Sequence, residues 1–242
     1  MADAENLLIL QLPRASRKKF LDQCEAFELV RSTDLSPPGQ VLSHAYFPRT
    51  GFISLVIAMG SCPPLEVGMV GREAMLGAEL VLGLSRTPWR ALVQGEGVSW
   101  RIGAVALREA GDVMPELRQL LERSVTVRLH QQALASACER FHTIGPRLAR
   151  WLLMSHDRAQ CDRFHVTQEC IALMLGVRRV GVTVAAGALQ RRGLIAYHRG
   201  ELTVLDRVAL EAEACSCYAA DRQLYADVMG GPLPAERQAA RA

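Results

Sequence analysis

No run of residues in this sequence is long and apolar enough to span a bilayer, so no membrane partner is expected. The chain also lacks the motifs that mark several large enzyme classes. It has no P-loop, no G-x-S-x-G elbow, no H-E-x-x-H helix and no dinucleotide fingerprint. Histidines such as His44 and His130 have no nucleophile at a readable spacing, so catalysis is not expected. No positive segment leads into an apolar core and cleavage site, and no secretory signal is expected. The seven cysteines, at 24, 62, 138, 161, 170, 215 and 217, are odd in number and scattered, which suits reduced thiols of a cytoplasmic protein.

Lysine is absent between Arg140 and Arg207. That segment holds eleven arginines against five acids, a net of +6, whereas residues 1–139 carry −1 and residues 208–242 carry −2. The basic excess therefore belongs to one stretch, the electrostatic footprint of a nucleic-acid reader. Within it, Thr167–Ile195 reads as two helices joined by a tight turn. Thr167 suits an N-cap for a helix over Gln168–Leu175, and Gly176 follows where the chain must turn. A second helix over Arg178–Arg191 carries Val182, Ala185, Ala186 and Leu189 on one face, and Gly193 ends it. Such a pair places the second helix in the major groove with its N-terminal residues on base edges. Arg178 and Arg179 stand at that end, where the helix dipole disfavours cations, so an external anion accounts for them.

Upstream, Met1–Arg31 reads as helical with a break at Pro13, Ser16 capping a helix over Arg17–Phe27. Short β-rich runs follow at Val41–Tyr46, Gly51–Ala58, Leu65–Val70, Ala91–Val93 and Val98–Ile102, punctuated by glycine and proline. A short helix from Val105 precedes a long one from Glu116 to about Glu139, with Pro115 in its first turn. Leu117, Leu120, Ser124, Val127, Gln131, Leu134 and Cys138 recur at heptad spacing and form a seam that packs either on the chain's own domain or, as a dimer interface, on a second copy. Gly145–Arg158 is a helix behind the reader. Ala196–Leu205 is a hairpin, a wing whose Arg199 can meet a phosphate. Val208–Tyr218 is a last helix, and Ala219–Ala242 is expected to fray.

This order, with RLARWLLMSHDR (147–158), VTQECIALMLGVRRVGVTVAAGALQRRGLI (166–195) and YHRGELTVLD (197–206), resembles the CRP/FNR superfamily of bacterial transcription regulators. HAYFPRTGFISLV (44–56) and EVGMVGREAMLG (66–77) resemble the effector domain of the same superfamily. The resemblance implies an α+β chain. A double-stranded β-helix (jelly-roll) effector domain fills 1–112, a dimerisation helix 113–141, a winged helix-turn-helix domain 142–220 and a flexible tail 221–242. It implies a homodimer on two-fold symmetric double-stranded DNA, with recognition helices about 34 Å apart and RNA polymerase as a further partner. Arg179 takes the place of the family's guanine-binding arginine. Thr167, Gln168, Arg178, Val180, Gly181, Thr183 and Arg199 are the other implied DNA-contacting positions. Val180 replaces a cytosine-reading glutamate and Gly181 a common serine or threonine, so the site preference is this chain's own.

The family's cyclic-nucleotide cassette falls on LGAELVLGLSRTPWRALV (76–93), with Gly77, Glu79, Arg90 and Ala91 as the implied effector residues. Glu79 stands one position later than in the family's glycine–glutamate pair, a slip that turns a strand side chain to the other face. The implied effector is a cyclic nucleotide, another small molecule, or none, the last making the β domain a ligand-independent dimeric or interaction scaffold. Only Cys24 precedes the β domain, against an N-terminal iron–sulfur cluster. Cys215-Ser216-Cys217 is too closely spaced for an ordinary zinc knuckle. His156, Cys161 and His165 meet only if the loop between them folds back. No metal is expected.

Overall fold

The structure is a computed structural model that describes residues 5–231. In chain order it comprises α1 (Leu7–Gln11), α2 (Arg14–Leu21), β1 (Glu25–Leu29), β2 (Asp34–Ser36), β3 (His44–Pro48), β4 (Phe52–Ile57) and β5 (Leu65–Val70). Then follow α3 (Ala78–Val81), β6 (Arg90–Gly95), β7 (Gly97–Gly103), α4 (Ala104–Val113), α5 (Pro115–Phe141) and α6 (Ile144–Ala159). The last third is β8 (Arg163–His165), α7 (Gln168–Leu175), α8 (Arg179–Arg191), β9 (Ile195–His198), β10 (Glu201–Val204), α9 (Arg207–Glu213) and α10 (Cys217–Met229). Among the described residues no single helix is long and apolar enough to cross a membrane.

Two antiparallel sheets, β1-β7-β3 and β2-β6-β4-β5, face each other as the β-roll. Ile53, Leu55, Val70, Ala91 and Val93 fill the space between them. β4 and β5 are legible as short β-rich runs between glycine and proline turns, β4 being buried along Phe52–Val56. β1 and β2 carry no such signal. Glu25–Leu29 has only Leu29 buried, and it is held by pairing along β7, with Glu25 opposite Arg101 in a 2.6 Å ion pair. The N-terminal stretch expected to be helical up to Arg31 is therefore two short helices and a strand, residues 1–4 lying outside those described. Asn6 caps α1, while α2 starts at Arg14 behind Pro13. Ser16, expected as a cap, instead donates its hydroxyl proton to Glu116 at the start of α5.

The long helix lies where it was expected, but its heptad seam does not face outward. Leu117, Leu120 and Val127 are buried in one cluster with Leu8, Phe20, Phe47 and Met75 of the same chain, and Cys138 is buried against Cys215 and Cys217. Ser124, Gln131 and Leu134 are half-buried on the same side. A 3.5-residue repeat shows which face is covered and is silent on what covers it. Here the cover is the chain's own β-roll and α10. The outward face is a second row, Glu122, Thr126, Leu129, Ala133, Ser136 and Arg140, all exposed.

The flexible segment expected from 221 is also corrected. The last helix breaks at Ala214–Ser216 and restarts as α10, which runs back along α5 with Asp221, Tyr225 and Met229 buried. Its periodicity was hidden because the apolar positions are interleaved with charge. Residues 232–242 lie outside those described.

Candidate nucleic-acid interface

α7 begins as predicted. The Thr167 hydroxyl accepts the Cys170 backbone N–H at 3.1 Å, and Gly176 closes the helix at φ 62°. α7 and α8 meet at 110°, within the usual range for a helix-turn-helix. Ile171, Ala172 and Leu175 of α7 join Val182, Ala186 and Leu189 of α8 and Leu148 and Leu152 of α6 in one core. Arg147 of α6 donates to the Leu175 carbonyl at 2.6 Å, satisfying an acceptor that the end of α7 leaves free.

With that face buried, the opposite one is presented to solvent. Arg178, Arg179, Val180 and Thr183 are exposed. Arg178 occupies the N-cap position in extended conformation without a side-chain capping bond, so no cap side chain takes up the first-turn N–H groups of α8, beside which two guanidinium groups are exposed. Neither guanidinium is ion-paired to a carboxylate among the described residues. A free helix N-terminus flanked by unpaired arginines is a site for an anion. The Thr183 hydroxyl donates to Gln168 Oε1 at 2.6 Å, which locks the start of α7 to the exposed face of α8.

Gly181 behaves differently from its neighbours. A Cβ there would meet Ile144 Cδ1 at 2.7 Å, so this position is the seam where α8 rests on the start of α6. Glycine is what lets the two helices approach there. Val184, exposed and one turn beyond Val180, was missed in the sequence. The signal was available, since i and i+4 share a helix face.

The wing is the hairpin β9–β10, extended to three strands by β8 in the order β8-β10-β9. Its turn residues Arg199 and Gly200 have φ of 49° and 83°, the two positive values that a tight twisted hairpin needs. Arg199 is exposed at the tip. Arg207 fastens the end of the wing to α6, donating to Asp157 Oδ1 and to His156 Nδ1, each at 2.6 Å.

Residues 146–213 match the Crp-like helix-turn-helix domain. That stretch, from α6 to α9, is a Crp-like helix-turn-helix domain. Over 219 residues the chain is 24% identical to a global nitrogen regulator of Synechococcus elongatus, covering 86% of this chain and 97% of that one. Its fold is that of FixK2 from Bradyrhizobium japonicum, with a TM-score of 0.67 and 14% identity over 79% of this chain and 98% of that one. TTHB099 of Thermus thermophilus, a CRP-family regulator, superposes with a TM-score of 0.64 and 21% identity over 78% and 96% of the two chains.

The implied effector residues have local partners of different kinds. Gly77 starts α3 at φ 98°, packed on Ala45. Glu79 is buried and accepts from the Thr87 hydroxyl at 3.1 Å. Arg90 stands at the sheet surface, paired with Asp34 at 2.7 Å, and Ala91 is buried between the sheets. The cavity between the β-roll and α5 is lined instead by Glu73, Met75, Ala78, Ser124, Arg128 and Tyr225, the last reaching in from α10. Neither Glu79 nor Arg90 lines it. The metal ligands considered in the sequence also have separate partners, His156 with Asp162 at 2.8 Å, His165 with Glu201 at 2.8 Å and Cys161 with the Arg163 carbonyl at 3.0 Å.

The winged-helix domain rests on the β-roll through polar contacts. Glu66 of β5 accepts from Trp151 Nε1 at 2.8 Å and from the Ser54 hydroxyl. Burial pushes its carboxyl up to about 7 against the opposing pull of those two hydrogen bonds. Arg158 of α6 pairs with Glu73 at 2.8 Å, both side chains buried. Gln94 of β6 donates to Cys170 Sγ at 3.2 Å.

Proposed function

We propose that the protein binds two-fold symmetric promoter DNA as a homodimer and reads its sequence through α8. The observation that carries this is the exposed, unpaired Arg178–Arg179 pair at the free N-terminus of α8. Arg179 reads guanine, since a guanidinium meets O6 and N7 bidentately, a contact that contributes about 1–3 kcal/mol of discrimination. Val180 and Val184 supply an apolar strip suited to a thymine methyl. Arg178 and Arg199 meet phosphates, and Thr167, Gln168 and Thr183 contact backbone or base edges beside them. The test is footprinting of the full chain on genomic fragments, followed by two variants. Arg179→Ala relaxes specificity, and Arg199→Ala weakens specific and random DNA alike while reducing the salt slope by about 1 per chain. Equal losses on both DNAs for Arg179→Ala would refute its base-reading role. RNA polymerase is the further partner of such a regulator, and its place of action is the cytoplasm.

A second reading concerns the β-roll. Tyr225 lines the small cavity between the β-roll and α5, which neither Glu79 nor Arg90 reaches, and those two are engaged elsewhere. This favours a β-roll that binds no cyclic nucleotide. Stabilisation of the protein by any member of a cyclic-nucleotide panel would overturn it.

A further inference from the structure

Four metal-binding side chains converge at the junction of α5 with the winged-helix domain. Cys138 lies in the last turn of α5 and His142 is its C-cap. Cys215 lies in the break between α9 and α10, and Cys217 opens α10. Their ligating atoms all lie within 4.8 Å of one another. Cys138 Sγ stands 3.5 Å from Cys215 Sγ, and Cys217 Sγ stands 3.6 Å from His142 Nδ1. A tetrahedral zinc ion with ordinary bond lengths sets its ligands about 3.8 Å apart for two sulfurs and about 3.6 Å for sulfur and nitrogen. These two separations are those of a shell around a single ion, and the other pairs are within 4.8 Å. A polynuclear iron–sulfur core would need its cysteines further apart.

We propose that Cys138, His142, Cys215 and Cys217 form a mononuclear tetrahedral site for a divalent cation of the zinc class, which staples the winged-helix domain to the end of α5. Three soft thiolates and one imidazole select such an ion. The set is closed, with all four positions supplied by protein, so the role is structural or regulatory rather than catalytic. The thiols of Cys138, Cys215 and Cys217 are buried, while His142 is half-buried and gives the ion its way in.

A second observation comes from the next residues outward. The Nε of Arg150, on α6, is buried and has no hydrogen-bond partner among the described residues. Its guanidinium lies near enough to act by charge on both Cys138 and Cys217. Three thiolates around a dication leave one negative charge, and Arg150 offsets it. Binding needs all three sulfurs as thiolates, so affinity rises with pH.

The position gives the ion a lever on DNA binding. His142 is followed at once by Thr143 and α6, the covalent entry to the winged-helix domain, and Cys215 and Cys217 stand where the chain leaves it. One ion therefore closes both ends of the domain onto one point.

The test uses the reduced full-length protein with Co(II) as probe. One equivalent gives the visible absorption of tetrahedral cobalt together with thiolate-to-metal charge transfer, and excess Zn(II) bleaches both. His142→Ala and Cys217→Ser each weaken binding at least about tenfold. Cys62→Ser and Cys161→Ser, at exposed thiols, leave it unchanged. Chelation increases hydrogen exchange in α10 and the end of α5. An octahedral or absent cobalt spectrum, bound sulfide with iron, or full affinity in the His142 and Cys217 variants overturns the proposal. A Cys138–Cys215 disulfide that persists under the reducing conditions overturns it as well.

Discussion

At the scale of single residues, Glu66 shows how burial changes what a side chain does. Its carboxyl is enclosed by Ser54 and Trp151, and burial raises it from 4.5 to about 7. A carboxyl raised in the folded state favours the fold while it is protonated. That contribution is fully present below the unfolded value and is lost as pH climbs through about 7. Glu66→Gln keeps an acceptor for Trp151 and cannot ionise. Compared with the parent, the variant gains roughly 1–3 kcal/mol as pH rises from about 4.5 to about 7.5. Parallel urea titrations across that range read the difference. A gap that stays constant with pH would show that Glu66 does not titrate there. No sequence pattern marks Glu66, because the group that buries it, Trp151, is 85 residues away.

At the scale of elements, what was legible depended on whether an element's signal was local. α7, its Thr167 cap, the Gly176 turn and the Arg199-Gly200 wing were readable because each rests on propensities within a few residues. The span of β5 was readable as a β-rich run between turn residues and that of α5 from its periodicity. β1 and β2 were not, since pairing with β7 and β6 holds them rather than any apolar alternation of their own. The Cys138 cluster escaped for a related reason. Placed on one continuous helix, Cys215 and Cys217 point in divergent directions, and the break at Ala214–Ser216 is what turns them together. The Cys-x3-His spacing at 138 and 142, one helical turn, was the visible half of the signal.

α5 makes the same lesson testable. Leu117 is 1% exposed and Leu129 is 65% exposed. If the outer row is the homodimer face, Leu129→Arg dissociates the dimer while the monomer stays folded. Leu117→Arg, by contrast, places a charge among Leu8, Phe20 and Phe47 and unfolds the chain, costing several kcal/mol. Sedimentation with circular dichroism separates the two results. A Leu129→Arg protein that remains dimeric would move the interface off α5.

At the scale of the whole molecule, the winged-helix domain is not on a free tether. Phe52, Val56 and Met69 of the β-roll share one apolar cluster with α6, α7 and α8. Arg158 crosses the same boundary to reach Glu73, and its charge is also felt by Asp221 of α10 and by Asp157. A Cβ at Gly71 would meet Arg158 Cγ at 2.5 Å, so glycine there is what lets the arginine lie against the roll. This joint is a buried ion pair, stabilising only while both partners are present. Arg158→Met leaves Glu73 buried without its partner and costs about 3–5 kcal/mol. Adding Glu73→Gln to Arg158→Met removes the stranded charge and recovers part of the loss. The coupling is read from a double-mutant cycle in denaturant, with hydrogen exchange at β5 and α6 reporting where the chain opens. Strict additivity would mean that the two side chains do not hold the domains together. A non-additive cycle with exchange confined to that boundary would identify Arg158–Glu73 as the contact that sets how firmly α8 is carried by the β-roll.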